Sequence, residues 1–400
     1  MRRQLHSISS TLACTALALA VAPARPAQAQ TYRVLYTFTG GADGATPQAP
    51  LLLHKGILYG NTIYGGSSGN GVVFQFDLKT GRQSVVHTFA GSPGDASYPD
   101  AGMLGDAAGN LYGVSSFGGS DGYGTVFELS ASGSEKIRSF TGGNGQDPQS
   151  PPVQDAAGNI YGTTYAQGPR NGGTLFNIGT SGTLTTLFAF DIRDGGGPCG
   201  GLVLLNGDLY GATYYGGADG AGVIYKVSLA TGQETVLYSF TGAADGGYPL
   251  GGLAADAAGN LYGTTSVGGI SENPVCPYDG PVSGCGTIFK LDTSGQLTTL
   301  YSFNGGDGDD PWGTLALDPQ GNLYGTTNGG GTVVSGFCNY GCGTVFKLDT
   351  AGHFTTLHSF QGGTDGGGTL AGVTLGPGRV VYGVSGYSVP GSGLVFEIEP

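Results

Sequence analysis

Charged residues, tryptophan, methionine and histidine are all scarce in this sequence of 400 residues. Charged residues make up only 11% of the chain, which also holds one Trp, two Met and five His. The low charge excludes a coiled coil and a highly charged disordered chain. The few histidines leave little for an imidazole-rich metal site, and a single Trp argues against a quinone-dependent dehydrogenase. We therefore expect neither a bound metal nor a cofactor.

Basic residues are also in deficit. The sequence contains 15 Lys and Arg against 28 Asp and Glu, which gives a formal net charge of −13 at pH 7. A protein that binds nucleic acid needs a basic face to neutralise the phosphates. This charge balance therefore excludes nucleic acid as a partner.

The one apolar run that resembles a targeting signal lies at the N-terminus. Arg2 and Arg3 precede the apolar residues 12–22, and Ala27-Gln28-Ala29 fits the cleavage rule of a secretory signal peptide. The run is too short to span a bilayer as a helix, so no transmembrane segment is predicted. We assign residues 1–29 to a signal peptide and expect a secreted or periplasmic protein. Its removal takes away three arginines and changes the net charge to −16.

Glycine, proline and apolar residues are plentiful instead. The 81 Gly and 20 Pro make up a quarter of the chain, while 39% of the residues are hydrophobic and 10% aromatic, which is enough to build a core. Single hydrophobic cores stop growing at about 250–300 residues. The chain is therefore either two domains or one modular array, and its glycine content favours the array.

One tripeptide, Leu-Tyr-Gly or a close variant, recurs seven times at intervals of 49 to 62 residues. Its tyrosines are Tyr59, Tyr112, Tyr161, Tyr210, Tyr262, Tyr324 and Tyr382. A short apolar segment precedes each motif, and a glycine-rich stretch follows it, then two further apolar segments that each end in an aromatic residue, of which the seventh unit has only the first. Each unit therefore predicts four short strands separated by Gly, Asn and Asp turns. A period near 50 with four strands per unit is typical of β-propeller blades.

The two ends of the chain indicate how the ring closes. The seventh unit ends at Pro400 after three strands, and the segment YRVLYTF at 32–38 has the pattern of a fourth strand. We therefore predict an all-β fold, a single seven-bladed β-propeller over residues 30–400. In this fold, the N-terminal strand completes the last blade, at 369–400. Closure removes free sheet edges, and we expect a monomer.

Three successive segments carry a resemblance to a known family. GNLYGTT (259–265), GCGTIFKLD (284–292) and TTLYSF (298–303) are similar to the GloVer-type tandem repeat of exported bacterial proteins. The GNLYG segment also resembles the second strand of NHL-like propellers. The likeness covers essentially all of residues 32–400. It implies an exported or surface repeat protein, and it supplies no catalytic residues.

Length variation is concentrated in two neighbouring loops. The connections between the second and third strands of units five and six, at about 266–285 and 328–342, are longer than their counterparts. In a four-stranded blade such connections share a face with the segments that join one blade to the next. Variable loops on a rigid scaffold often carry function, but surface loops also lengthen neutrally at low entropic cost.

The same two loops hold four of the five cysteines that follow the signal peptide: Cys276, Cys285, Cys338 and Cys342. In an exported protein they favour two disulfides within the loops, Cys276–Cys285 and Cys338–Cys342, which would brace them. A four-thiolate zinc site between the blades is the alternative. Cys199 is left over, either as a buried free thiol or as a competitor for one of these partners.

Aspartates recur in the segments that join the blades: Asp43, Asp95, Asp147, Asp194, Asp245, Asp307 and Asp365. Asp-Gly is a turn signal, and recurrence in every blade favours a turn role. Asp307, Asp309 and Asp310 nevertheless lie beside Trp312, the only Trp. They are our candidate catalytic carboxylates for glycoside hydrolysis or lyase chemistry.

Aromatic residues just beyond the second strands are less regular: Tyr64, Phe117, Tyr165, Tyr214, Tyr215 and Tyr387. The first five, with Trp312 and Asp307, form the candidate binding set. Aromatic rings stack on the apolar C–H faces of sugars, and carboxylates accept hydrogen bonds from sugar hydroxyls. Packing between blades is the alternative role for the same rings.

Three functions are consistent with these features. The first is an exported binding or interaction module that recognises an extracellular glycan or a surface protein, on the loop face that carries the insertions of blades five and six. The second is a polysaccharide hydrolase or lyase that uses acidic residues of that face. The third is a structural protein of an envelope or matrix.

Overall fold

A computed structural model describes residues 30–193, 195–269, 276, 284–334, 338, 340–389 and 391–399 of the protein. Seven antiparallel sheets of four strands each form the blades of a propeller. The predicted signal peptide at 1–29 lies outside the described residues. Within the described part of the chain, no helix has both the length and the apolar character to cross a membrane.

Each blade runs from a short inner strand to a longer outer one. The strands of blade one are Leu52–His54, Ile57–Thr62, Val72–Asp77 and Arg82–Thr88. Those of blade two are Leu104–Gly105, Leu111–Ser115, Thr125–Leu129 and Glu135–Ser139. Those of blade three are Val153–Gln154, Ile160–Thr164, Asn171–Ile178 and Leu184–Asp191. Those of blade four are Val203–Leu205, Asp208–Thr213, Val223–Ser228 and Glu234–Ser239.

The remaining blades follow the same order. The strands of blade five are Ala254–Ala255, Leu261–Thr265, Thr287–Leu291 and Leu297–Ser302. Those of blade six are Ala316–Leu317, Leu323–Thr327, Thr344–Leu348 and Phe354–Ser359. Blade seven consists of Thr374–Leu375, Val381–Ser385, Leu394–Glu399 and the N-terminal Thr31–Thr37. A small extra pairing joins Ala96–Ser97 to Phe117–Gly118, and short 3₁₀ turns span Gly363–Asp365 and Pro377–Arg379.

Blade seven closes the ring with the two ends of the chain. Its outer strand, Thr31–Thr37, pairs antiparallel with Leu394–Glu399, and Arg33 forms an ion pair with Glu397 across this junction. The strand begins and ends one residue earlier than the predicted 32–38. Phe38 lies just beyond the last residue that pairs with Leu394–Glu399, and its side chain is fully buried. The prediction of seven four-stranded blades closed by the N-terminal strand is confirmed.

The Leu-Tyr-Gly motif has a steric cause. In every blade its glycine pairs with the aromatic residue of the third strand, as Gly60 does with Phe74 and Gly263 with Phe289. A Cβ atom at any of the seven glycines would come closer than 3.0 Å to that aromatic side chain. The glycine is therefore required for the ring to lie across the second strand.

These aromatic residues also hold neighbouring blades together. The Phe at the end of each fourth strand packs against the third-strand aromatic ring of the next blade, with centroids 4.8–5.5 Å apart at all seven junctions. Phe38 makes this contact with Phe74 at 5.0 Å. Aromatic pairs add about 0.5–1.5 kcal/mol to the free energy of burial. We call the seven pairs the aromatic belt.

The aromatic belt gives a test of ring closure. Phe38→Ala and Phe240→Ala remove equivalent belt residues, one at the closing junction and one between blades that are continuous in sequence. Because both rings are fully buried, each substitution should lower the free energy of unfolding by about 3–5 kcal/mol. Chemical denaturation followed by fluorescence measures both losses. A stable Phe38→Ala variant beside a destabilised Phe240→Ala variant would contradict closure.

Candidate functional site

The segment that joins each blade to the next turns sharply before it enters the central channel. At one equivalent position of every segment the backbone is left-handed, with φ between 56° and 65°: Thr46, Tyr98, Asp147, Gly197, Tyr248, Asp310 and Gly368. Five of these are not glycine, although this conformation costs such residues about 1–2 kcal/mol. In six segments a proline follows and restricts the chain further. The residues after the turn are thereby held in fixed positions.

The residue two positions beyond each left-handed residue lines a cavity of about 210 Å³ at the channel mouth. We call these seven residues the mouth ring: Gln48, Asp100, Gln149, Cys199, Leu250, Trp312 and Leu370. They are of five chemical types, although the backbone around them repeats in every blade. Deeper in the channel the lining consists mainly of Pro, Gly, Leu and Val. The varied chemistry of the channel therefore lies at its mouth.

Two carboxyl groups meet on one side of the mouth ring. Ser116 donates a hydrogen bond of 2.5 Å to Oδ2 of Asp100, and Gln149 donates one of 3.0 Å to Oδ2 of Asp147. The Oδ1 atoms of both aspartates are buried without a hydrogen-bond partner. Burial raises the pKa of Asp100 to about 7; the negative charge of Asp147 adds to the rise, and the hydrogen bond from Ser116 opposes it. Burial also raises the pKa of Asp147, so this pair can hold a proton near neutral pH.

A second pair of carboxyl groups lies three blades further round, beside Trp312. The indole Nε1 of Trp312 donates a hydrogen bond of 2.6 Å to Asp310, and the side chain of Asn328 donates one of 3.2 Å to the other carboxylate oxygen. Oδ1 of Asp309 is buried without a hydrogen-bond partner. Burial, with the charge of Asp310 adding to it, raises the pKa of Asp309 to about 7, and burial raises the pKa of Asp310. Trp312 thus connects this acidic pair to the cavity.

Asp307 lies in the turn that precedes this pair. Its carboxylate accepts hydrogen bonds from the hydroxyl of Tyr301 at 2.5 Å and from the backbone and side chain of Asn304 at 2.9 and 2.7 Å. Asp245 makes matching contacts at its own blade junction. Asp194, which the sequence places in the same set, lies outside the described residues. The contacts of Asp307 are therefore those of a repeated turn.

The aromatic candidates pack across blade junctions in two groups. The members contact one another edge-on or at a tilt, in the orders Tyr64–Tyr98–Phe117 and Tyr165–Tyr215–Tyr214–Tyr248. Tyr64 and Phe117 are still 48% exposed. These rings contribute to packing between the joining segments, and the two most exposed of them leave apolar surface on the loop face.

Two disulfides brace the long loops of blades five and six, with the predicted pairing of Cys276–Cys285 and Cys338–Cys342. Cys199, the remaining cysteine of the described residues, is a buried free thiol in the mouth ring. Four parts of the long loops lie outside the described residues: 270–275, 277–283, 335–337 and 339. The sulfur atoms of Cys276 and Cys285 lie within 4.8 Å of an Asp309 carboxylate oxygen, which places this disulfide against the second acidic pair.

A groove of about 460 Å³ lies beside the disulfide of blade six. It is lined by five glycines between residues 362 and 368 and by Tyr340 and Tyr387. These two tyrosines are 60% and 65% exposed. The groove therefore offers two open aromatic side chains on the loop face, next to one of the inserted loops.

Sequence reasoning did not single out Asp100, Gln48 or Gln149. A signal for them exists in the repeats, because each follows the proline of its joining segment, at a position that differs from copy to copy while the surrounding pattern recurs. Comparison of the seven copies position by position would have found the mouth ring. The long loops were more conspicuous because they change the length of the repeat.

Residues 83–277 and 276–400 match the sequence profile of the Gloeobacter/Verrucomicrobia repeat. The chain belongs to this repeat family. Virginiamycin B lyase from Staphylococcus aureus has a similar structure at 12% identity and a TM-score of 0.59, over 93% of this chain and 99% of the lyase. A putative 6-phosphogluconolactonase from Bacteroides fragilis matches at 16% identity and a TM-score of 0.51, over 82% of this chain and 86% of that one. At these identities the likeness concerns the fold alone.

No curated protein has significant sequence similarity to this Gloeobacter/Verrucomicrobia repeat protein. Its function must therefore be argued from its own residues.

The buried aspartates contribute to the pH dependence of the stability of this repeat protein. A carboxyl group whose pKa rises from 3.8 when unfolded to about 7 when folded binds protons more tightly in the folded state. Its contribution to stability is therefore largest below pH 4 and falls as the pH rises towards 7. Asp100→Asn should raise the free energy of unfolding at pH 8 by about 2–4 kcal/mol and flatten its decline between pH 5 and 7.

Urea denaturation at a series of pH values measures both effects. Asp245→Asn, in a turn of the loop face, controls for the loss of one carboxylate. The same pH dependence in the wild type and in Asp100→Asn would show that Asp100 is ionised throughout this range.

Proposed function

We propose that this protein is an exported binding module that recognises a glycan at the mouth of its channel. The mouth ring carries the proposal, because a backbone repeated in every blade places unlike side chains at a position that lines a cavity. Positions that serve packing keep one kind of side chain throughout the repeats, as the motif glycines and the belt phenylalanines do. An asymmetric ligand needs different side chains around it. The mouth ring provides them on a backbone that is the same in every blade.

The side chains of the mouth ring have the chemistry that sugars require. Trp312 offers an apolar ring beside the cavity, Asp100 offers a carboxylate acceptor, and Gln48 and Gln149 offer amides that both donate and accept. Small-molecule sites combine apolar walls with a few placed polar groups in this way. The unpartnered Oδ1 of Asp100 is an acceptor that a ligand hydroxyl could satisfy.

The size of the cavity limits what can enter it. Its volume of about 210 Å³ is below the range of about 300–1,000 Å³ that is usual for sites enclosing drug-sized ligands. We therefore infer that a terminal sugar or a short branch occupies the mouth, while the rest of the glycan lies across the loop face. The groove beside Tyr340 and Tyr387 offers exposed aromatic side chains for that part of the glycan.

Two features support export. Residues 1–29 have the pattern of a secretory signal peptide. The two disulfides belong to an oxidising compartment outside the cytosol. The acidic net charge disfavours polyanionic partners, so the proposed ligand is a neutral or cationic glycan bound by a monomer.

A glycan array with residues 30–400 tests the proposal, followed by calorimetric titration of the best ligand. Trp312→Ala should weaken binding by about 1–3 kcal/mol, the range found when aromatic rings that stack on nucleic-acid bases are removed. Trp312→Phe should retain most of the affinity, because it keeps a ring at the same place. Both variants lose the hydrogen bond to Asp310, so the difference between them isolates the contribution of stacking.

The control substitutions are Asp307→Asn and Asp245→Asn, which change turn aspartates with matching contacts. Neither should change the affinity by more than a factor of two. Equal losses in these controls and in Trp312→Ala would place the ligand away from the mouth. Failure to bind any glycan would leave recognition of a surface protein or a purely structural role.

The Asp100–Asp147 pair supports a second candidate function, a polysaccharide hydrolase or lyase. General acid catalysis near neutral pH needs a carboxyl group with a raised pKa, and glycoside hydrolysis uses two carboxyl groups together. The pKa of Asp100 at about 7 and the adjacent charge of Asp147 meet the first of these requirements. Ser116, which donates to Asp100, would hold that carboxyl group in place.

Assays for new reducing ends and for unsaturated products, on the glycan that binds, separate the two candidates. If the protein is an enzyme, Asp100→Asn should lower turnover by a factor of about 10² or more while affinity for the glycan changes little. Asp307→Asn is the matched control and should retain turnover. A glycan that binds to the wild type and yields neither product would exclude the enzymatic candidate.

A further inference from the structure

The outer edge of the junction between blades one and two carries a histidine where three other junctions carry a tyrosine. In three fourth strands a tyrosine hydroxyl donates to the turn aspartate of the following joining segment, from Tyr36, Tyr238 and Tyr301. In blade one the residue at this position is His87, and the turn aspartate is Asp95. His87, whose imidazole can bind a metal ion, therefore replaces a tyrosine hydroxyl that elsewhere donates a hydrogen bond.

A third potential ligand comes from the next blade. Glu135 begins the fourth strand of blade two, and its Oε1 lies 3.1 Å from Nε2 of His87. One ligand atom from each of His87, Asp95 and Glu135 lies within 4.8 Å of the other two. Nε2 of His87 and Oε1 of Glu135 are both buried, and neither makes a hydrogen bond of acceptable geometry. Three potential ligand atoms thus converge, and two of them, those of His87 and Glu135, have no hydrogen-bond partner.

These separations suit a small divalent ion. Zinc binds imidazole nitrogen at about 2.0–2.1 Å and carboxylate oxygen at about 2.0–2.2 Å, so neighbouring ligands of a tetrahedral site lie about 3.3–3.6 Å apart. The His87–Glu135 distance is already close to this value. Three protein ligands would leave one coordination position for water, as in zinc sites that keep an open fourth position.

We propose that His87, Asp95 and Glu135 bind a divalent metal ion, with Zn²⁺ as the best fit, and that this ion links blade one to blade two. The inference is independent of the proposed glycan site, which lies at the channel mouth.

The surroundings of the three residues favour a cation. Backbone N–H groups of Ala90 and Ala96 donate to the two carboxylate oxygens of Asp95 at 2.6 Å each, which holds that carboxylate in a fixed orientation, as outer-shell partners of metal ligands do. The carboxyl groups of Glu135 and Asp95 both lie beside the imidazole of His87, so a bound cation would be close to two groups that can carry negative charge.

The junction between blades six and seven provides an internal comparison. His358 contacts the turn aspartate Asp365 at 3.1 Å, but Tyr32 holds the place that corresponds to Glu135. The ring of Tyr32 is stacked on His358 with centroids 3.8 Å apart. This junction therefore has the histidine and the aspartate, but the aromatic ring of Tyr32 takes the place of the glutamate. It therefore serves as a control that the chain itself supplies.

The test uses residues 30–400 without a histidine tag, stripped with EDTA and titrated with ZnCl₂ in a calorimeter. We expect one Zn²⁺ per chain and a higher melting temperature with zinc than with EDTA. His87→Gln and Glu135→Gln should each weaken zinc binding at least tenfold, and the zinc-dependent rise in melting temperature should be lost. His358→Gln should leave both measurements unchanged.

Melting curves in EDTA show whether the variants fold, so a loss of binding can be separated from a loss of structure. Substitution of cobalt for zinc, with its visible absorption spectrum, reports the ligand set independently. Absence of stoichiometric zinc binding to the wild type would overturn the proposal. Unchanged affinity in His87→Gln and Glu135→Gln would overturn it equally.

Discussion

An aromatic ring that lies across a glycine is the contact on which the rest of the structure depends. The ring covers the second strand only because the glycine has no Cβ atom, and its far side then meets the Phe of the preceding blade. One pair of residues therefore sets the packing within a blade and the packing between blades. This pairing of a glycine with an aromatic ring occurs in all seven blades, and it fixes where every joining segment begins and ends.

Because the aromatic belt carries this packing, the residues that face the channel are free to differ. The left-handed residue of each joining segment points the chain into the channel, and the side chain two positions later has no part in the belt. Asp100, Cys199 and Trp312 occupy equivalent places without disturbing the frame. The same independence holds at the outer edge, where His87 takes a position that is tyrosine in three other blades and Glu135 a position that is Leu184, Leu297 or Phe354 in blades three, five and six.

The number of blades, the closing strand and the disulfide pairs could be predicted because each leaves a recognisable pattern within a short stretch of sequence, even where, as at the closing strand, the partner is far away in the chain. A glycine opposite an aromatic residue recurs with the repeat, and Cys338 and Cys342 are only four residues apart. The meeting of Asp100 with Asp147 could not be predicted in the same way, since it depends on how two joining segments converge on the channel. Asp307 and Asp310 show the opposite case. They are close in sequence, but the first closes the turn with Tyr301 and the second, beyond it, hydrogen-bonds Trp312.

The closure of blade seven sets the order in which the protein can be completed. Arg33 and Glu397 are 364 residues apart, so the first strand of the propeller pairs with its last. Contacts of such large sequence separation slow folding, because the entropy of closing the loop is lost before the contact forms. The first strand must stay unpaired while six blades assemble beside it. Any chain that is cut short before residue 394 is therefore left with an open ring and an exposed strand at each side of the gap.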